Sequence, residues 1–388
     1  MVTNAMDYEL PEEIMMLRDM ARKFAADRIG PNAREWDRTG EIPLEVVKEL
    51  GELGFLGVRV PQELGGVGTG YLGMAVIIEE LARQCGGTAL MVSAHNGLCC
   101  AHLLVGANDA QKKKYLPPLA RGEMLGSWCL SEPSSGSDAA ALKTKAILDG
   151  DTWVINGSKV FVTNGSRAGV YIVHARTDPE APKAKGISSF IVERDTPGLQ
   201  IDPKEDKMGM RASDTVPLTL EDVRVPRENL CGELNKGFYD VMKVLERGRI
   251  TIGALSVGLA RGALEQSVQY ATEREQFGKP LAKMQAIQFK LADMAMQIDA
   301  ARLLVRKAAT RQDAGKSSNL ESAMGKLYAS EMATRVCLDA IQIHGGYGYL
   351  KDMPVERLMR DAKLCEIGEG SSEIQRMVIA RQLLDLPK

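Results

Sequence analysis

Apolar residues recur at helical spacing over roughly the first 120 positions, alternate between 126 and 226, and return to helical spacing after Gly237. A chain that changes period twice is neither one bundle nor one sheet, and it reads as three regions. In 11–29, Ile14, Leu17, Ala21, Phe24 and Ala25 share a helix face, with Pro11 placed to start it and Gly30-Pro31 to stop it. The same spacing predicts helices over 44–56, 74–82 and 89–105, joined by glycine-rich connectors such as 65–70. Alternation over 152–155 and 159–163 flanks Asn156-Gly157, which predicts a tight hairpin, and further strands are expected at 170–175, 187–192 and 216–220. Helices resume over 238–273, 284–314, 319–343 and 371–384. The expected fold is α+β: an N-terminal helical domain (1–124), a middle antiparallel β-barrel or sandwich (125–236) and a C-terminal four-helix bundle (237–388).

Composition narrows the function classes. Lys plus Arg is 49 against 51 for Asp plus Glu in 388 residues, so no basic excess exists to hold a phosphate backbone, and nucleic acid is not expected as a partner. The first ten residues carry acids and no apolar run of signal-peptide length, and no stretch reads as the ~20 apolar residues of a membrane span, so a cytoplasmic protein is expected. Seven cysteines without a CxxC pair read as buried thiols in a reducing compartment. Four histidines form no HxxxH or HExxH pair, so no metal is expected. His95 and His102, seven apart, could share a helix face, where packing or surface roles are expected.

Five segments concentrate chemistry, and each has a plain structural reading beside the functional one. Leu130-Ser131-Glu132-Pro133-Ser134-Ser135-Gly136-Ser137-Asp138 offers backbone N–H groups and short hydroxyls to a polar ligand, or is a surface turn. Gly345-Gly346-Tyr347-Gly348-Tyr349, after Ile341-Gln342-Ile343-His344, allows close backbone approach or simply stops a helix. Ile367-Gly368-Glu369-Gly370-Ser371-Ser372-Glu373 puts a carboxylate between glycines, where burial would raise it toward general-base duty, or is a solvated turn capped by serine. Arg274-Glu275-Gln276-Phe277-Gly278-Lys279-Pro280, with Gln285 following, could clamp a pyrophosphate or form a polar helix corner. Glu246-Arg247-Gly248-Arg249 is equally ambiguous.

Taken together and in order, these segments resemble the acyl-CoA dehydrogenase family of flavoenzymes, from Leu10 to about Leu384. The resemblance implies FAD as cofactor and an acyl-CoA substrate. It implies that Trp128, Leu130, Ser131, Gly136 and Ser137 lie along the flavin, with Ser137 also near the acyl-CoA. Phe161-Val162-Thr163 resembles a segment, usually Trp-Ile-Thr, that packs on the flavin; Phe161 is a departure that stays aromatic. Arg274, Phe277 and Gln285, with Gln342, Ile343, Gly345 and Gly346, match segments that hold the adenosine diphosphate of FAD across a subunit interface, implying a homotetramer built as a dimer of dimers. Glu246 and Arg249 match a pair near bound CoA, and Ser371, Ser372 and Glu373 match flavin contacts.

Glu369, between Gly368 and Gly370, matches the family's catalytic base, which removes the α proton while the β hydrogen passes to the flavin, giving a trans-2-enoyl-CoA. The resemblance implies that the Glu369 N–H and a flavin ribityl hydroxyl hold the thioester oxygen. A minority of members place the base where this chain has Gly248, which carries no acid. Many straight-chain members carry Tyr where Gly368 stands, so the pocket is expected to be short and widened near Cα and Cβ, suited to branched or cyclic as well as short linear acyl groups. Leu90 and Ser93 lie on a helix expected to line the acyl tail. The implied electron acceptor is electron-transferring flavoprotein. An acyl-CoA oxidase using O2, or a catalytically silent acyl-CoA or flavin-binding scaffold, is the alternative.

Overall fold

The computed structural model describes residues 10–385; positions 1–9, on which the expectation of no signal peptide falls, lie outside the described residues, as do 386–388. Seven helices come first: α1 (Glu12–Phe24), α2 (Ala33–Thr39), α3 (Leu44–Glu52), α4 (Gly70–Ala82), α5 (Gly86–Ala94), α6 (Ala101–Gly106) and α7 (Asp109–Ala120). Eight strands follow: β1 (Leu125–Cys129), β2 (Lys145–Asp149), β3 (Thr152–Thr163), β4 (Ala168–Arg176), β5 (Ile187–Glu193), β6 (Leu199–Ile201), β7 (Thr215–Pro226) and β8 (Leu230–Cys231). The chain then returns to helix in α8 (Gly237–Glu273), α9 (Gln285–Asp313), α10 (Asn319–His344), α11 (Pro354–Ile367) and α12 (Ser372–Leu383).

The helices form for local reasons and are held by burial. Helix α1 carries Glu12 and Glu13 in its first turn and Arg22 and Lys23 in its last, matching the helix dipole, and buries Ile14, Ala21 and Phe24. Helices α2, α7 and α11 escape the periodicity reading. In α7, Pro117 and Pro118 mask the pattern, while a capping box between Asn108 and Gln111 fixes the start. A π-helical stretch, His95–Cys100, joins α5 to α6. The resulting Gly86–Gly106 is long and apolar enough by composition to cross a membrane, a stretch the sequence reading passed over. It is mostly buried in this structure, and Asn96 in it donates to the Phe55 carbonyl at 2.9 Å and accepts from the Val58 N–H at 3.2 Å.

The sheet departs from expectation in two ways. It is mixed, with β1 and β2 each parallel to β4 and the remaining pairs antiparallel, in the order β6-β7-β3-β2-β4-β5-β8. Asn156-Gly157 is also no hairpin: β3 runs straight through it, and the turn falls at Gly150 between β2 and β3. The dipeptide marks a bulge against β7, where the Asn156 side chain both donates to Asp222 Oδ1 at 2.9 Å and accepts from its N–H at 2.8 Å. A Cβ on Gly157 would lie 2.4 Å from Thr144 Oγ1, so glycine is needed for packing rather than for a turn.

The two helical regions are one body. Helix α4 packs on α1, α8 and α9, and one apolar core runs from Phe24, Leu50 and Ile78 through Leu255 and Met294 to Met332 and Leu358. Within it α8 packs against α9, α10 and α11, while α12 lies on α10. All seven cysteines are buried free thiols.

One buried ion pair anchors the loop after β1. Lys159 on β3, fully buried, donates to Glu132 Oε1 at 2.7 Å and to the Leu130 carbonyl at 3.2 Å; Glu132 also accepts from the N–H groups of Lys143 and Thr144. Removing one member of a buried pair strands the other charge. Lys159→Met is therefore expected to destabilise the protein by about 3–5 kcal/mol in chemical unfolding. A loss below 1 kcal/mol would show that the two backbone donors suffice for Glu132.

Candidate active site

Glu369 sits in the four-residue turn between α11 and α12. Gly368 ends α11 with extended backbone, and Ser371 opens α12 by accepting from the Ile374 N–H. Between them Glu369 has φ +53° and Gly370 φ +94°, a left-handed pair that costs a glutamate about 1 kcal/mol or more. The turn aims the carboxylate at α8. A Cβ on Gly248 would lie 2.2 Å from Glu369 Oε2, so only a residue without a side chain admits the carboxylate there, and Leu98 closes the same spot.

That oxygen is buried and has no hydrogen-bond partner, while the residue as a whole is half-buried. Burial pushes the Glu369 carboxyl up to about 7, against the opposing pull of Lys326 and Arg249. Arg249, itself buried, donates to Asn319 Oδ1 at 2.7 Å and leaves its Nε unpartnered. Glu246 accepts from the Ser318 N–H at 3.3 Å, so this pair ties α8 to the start of α10. Ser93 donates to Thr251 Oγ1 at 2.7 Å and joins α5 to α8.

A second group lies where β1 and β3 meet. The Val160 N–H donates to the Ser131 carbonyl at 2.9 Å, drawing the 130–138 loop onto β3. Immediately after, a bulge against β7 turns Phe161 to φ +57° and leaves its ring 70% exposed. Trp128 donates from Nε1 to His102 Nδ1 at 3.3 Å and meets the His174 ring edge-on at 4.8 Å. His102 is thereby a packing partner of Trp128, and burial pushes its imidazole down to about 4. His95 is equally structural, accepting from the Gly126 N–H with Nδ1 and facing the Leu56 carbonyl with Nε2. Leu130 and Val162 bury their side chains, so only main chain is left to meet a ligand; Gly136 and Ser137 are exposed.

The third group stands apart, with no described contact to Glu369. Arg274 lies over the Tyr347 ring at 5.5 Å, and Phe277, at φ +55°, is 92% exposed. Gln285 and Gln342 are exposed, whereas the Ile343 side chain is core; Glu373, also exposed, lies instead on the first turn of α12 beside the Glu369 turn. Gly345 ends α10 at φ +59°, so the glycine cluster is a helix stop, and around it and Gly346 no atom lies within 4 Å of a built Cβ, leaving open backbone as well.

Two residues near Glu369 escaped the sequence reading. Lys326 and Gln375 both donate to the Gly370 carbonyl, at 2.6 and 2.9 Å. A signal for the first existed: Lys326 falls on a stripe with Ser322, Ala323, Ala329 and Ser330, a charge at an inward position of α10.

The residues at β1 and β3 fit a flat aromatic cofactor, since an exposed ring on a strained bulge stands beside a loop of hydroxyls and free main chain. Together with the helix–sheet–helix order and the buried acid, this fits the flavin-dependent oxidoreductase class that the sequence resembles. Family models for the N-terminal, middle and C-terminal domains of acyl-CoA dehydrogenases match residues 11–123, 127–223 and 235–384. The chain belongs to the acyl-CoA dehydrogenase family, whose members are FAD-dependent flavoproteins. It is 51% identical to a probable acyl-CoA dehydrogenase of Bacillus subtilis, over 98% of this chain and 100% of the relative. It is 47% identical to the mitochondrial short-chain specific acyl-CoA dehydrogenase of Mus musculus, over 97% and 91%. Butyryl-CoA dehydrogenase from Megasphaera elsdenii superimposes with a TM-score of 0.95 at 43% identity, covering 98% of this chain and 100% of that one.

Proposed function

We propose that the protein dehydrogenates a short linear, branched or cyclic acyl-CoA to its 2-enoyl-CoA and passes the electrons to electron-transferring flavoprotein. The observation that carries this is the buried Glu369 carboxylate, poised near neutrality against Gly248. Glu369 takes the α proton, and its backbone N–H is one donor to the thioester oxygen, where negative charge develops as the proton leaves. The chemistry that FAD would supply there, when bound, is acceptance of the β hydrogen with its electron pair. Trp128, Leu130, Ser131, Gly136, Phe161, Val162, Thr163, Ser371 and Glu373 would hold its ring, Leu130 and Val162 through main chain. Arg274, Phe277, Gln285, Gln342, Gly345 and Gly346, with the main chain of Ile343, would hold the diphosphate end in a neighbouring protomer of a tetramer. Ser137, Glu246 and Arg249 would meet the CoA, and Gly368 and Gly370 flank the reacting carbons.

An anaerobic titration of the holoprotein with linear, branched and cyclic acyl-CoAs tests the reading through bleaching of the flavin. Bleaching by none of them would overturn it; bleaching followed by rapid O2 consumption would favour an oxidase. Because only ionised Glu369 accepts the proton, kcat/KM is expected to rise about tenfold per pH unit below 7 and level off above it.

The acyl class rests on Gly368. A Cβ there would make only ordinary contacts with Leu364, at 3.5 Å and beyond, and the backbone is unstrained, so a larger residue can enter. Gly368→Tyr is expected to cut kcat/KM for isobutyryl-CoA and cyclohexanecarbonyl-CoA about tenfold or more, with butyryl-CoA nearly unchanged. Octanoyl-CoA or palmitoyl-CoA as the best wild-type substrate would contradict the short, wide pocket.

A further inference from the structure

Lys326 is fully buried on α10, yet it makes no ion pair among the described residues. Its one hydrogen bond runs from Nζ to the Gly370 carbonyl, at 2.6 Å. An ammonium without a bonded carboxylate is an expensive group to bury, so fold stability alone does not account for it. Its place does. The carbonyl it grips belongs to the second of the two left-handed residues that aim Glu369 at Gly248. Gln375, buried on α12, donates to the same oxygen at 2.9 Å, so the turn is clamped from two helices.

We propose that Lys326 is a positioning residue for the base: by gripping the Gly370 carbonyl it holds Glu369 with its carboxylate turned onto Gly248, and it keeps a cation behind that carboxylate. The inference rests on Glu369 being the base. Arg249 on α8 and Lys326 on α10 are the charges that face Glu369. Lys326 in turn faces Cys365 and Glu366 on α11, Arg249 on α8 and Glu373 at the start of α12, and Glu366 is itself engaged by Lys363 and Thr334. Burial pushes the ammonium down to about 8, so it stays largely protonated where the base ionises. Removing it would leave Arg249 as the one cation opposing burial, and the carboxylate would ionise at higher pH.

The test uses the holoenzyme with Lys326→Met, Lys326→Arg and Gln375→Leu. In Lys326→Met, the midpoint of the pH profile of substrate-driven flavin bleaching is expected to move up by a unit or more, with the rate at pH 7 at least tenfold lower. Lys326→Arg is expected to restore the midpoint. Gln375→Leu removes the other clamp without removing charge, and is expected to slow bleaching with the midpoint unmoved. A readout independent of turnover is the gain in Tm at pH 8 on adding Glu369→Gln, which should be larger in the Lys326→Met background than in wild type. A folded Lys326→Met with the wild-type midpoint and a rate within twofold overturns the inference. If Lys326→Met does not fold, an unchanged rate in Gln375→Leu together with an unchanged midpoint in Lys326→Gln overturns it. Should Glu369→Gln itself bleach at the wild-type rate, the base assignment fails instead, and the two failures are thereby distinguished.

Discussion

Glu369→Gln is expected to reduce substrate-driven flavin bleaching roughly 10³–10⁴-fold while making the ligand-free protein harder to unfold at pH 8. The two effects share a cause. Glu369 Oε2 is buried without a partner, and the carboxyl is pushed from an ordinary 4.5 up to about 7. Below pH 4.5 it is neutral folded and unfolded, and burial costs nothing extra. Between about pH 4.5 and 7 the unfolded chain ionises it while the folded protein, with the group in a site of low polarity, does not, so a cost on the order of 3 kcal/mol builds up over that window, is complete above 7, and is removed by glutamine. Chemical unfolding at pH 4 and pH 8 checks the sign: the variants should unfold alike at pH 4 and diverge at pH 8. A glutamine variant less stable than wild type at pH 8 would mean that the carboxylate is held by contacts stronger than Lys326 and Arg249 provide.

Gly248→Ala is expected to slow the same reaction roughly 100-fold without harming the fold. The three atoms nearest the built Cβ are all side-chain atoms, two of the Glu369 carboxylate at 2.2 Å and 3.3 Å and one of Leu98 at 3.7 Å. The carboxylate must therefore swing away from α8, and a displacement of about 1 Å in a reacting group is enough for a loss of that size. Alanine in the middle of α8 also gains up to about 1 kcal/mol of helix propensity over glycine. Stopped-flow bleaching together with thermal unfolding would show a protein at least as stable as wild type and far slower. A rate within threefold of wild type would mean that the base works from another position. At both residues the reaction opposes stability: a strained acid is buried, and a helix is weakened by glycine to admit it.

Much of the fold was legible because helix and strand periods are local. Helices α1, α4, α8, α9, α10 and α12, and strands β4, β5 and β7, follow from spacing alone, whereas spacing divides β3 into two strands. What failed failed for identifiable reasons. Pro117 and Pro118 hid α7, and a bulge closed by Asn156 and Asp222 imitated a hairpin. The parallel pairing of β1 with β4 is a long-range choice that alternation does not encode.

For the site, the sequence by itself determined the chemical inventory and its order: an acid between glycines, a helix position without a side chain, an aromatic where a strand ends, a glycine cluster at a helix stop. Those are properties of residue type and neighbour. Only the tertiary structure decided that Glu369 and Gly248 touch, that Lys326 and Gln375 clamp the turn between them, and that the carboxyl stands near 7 rather than 4.5. The reason is that a carboxyl titrates according to what surrounds it, and the surroundings of Glu369 come from α8, α10 and α12, which meet only when the chain is folded.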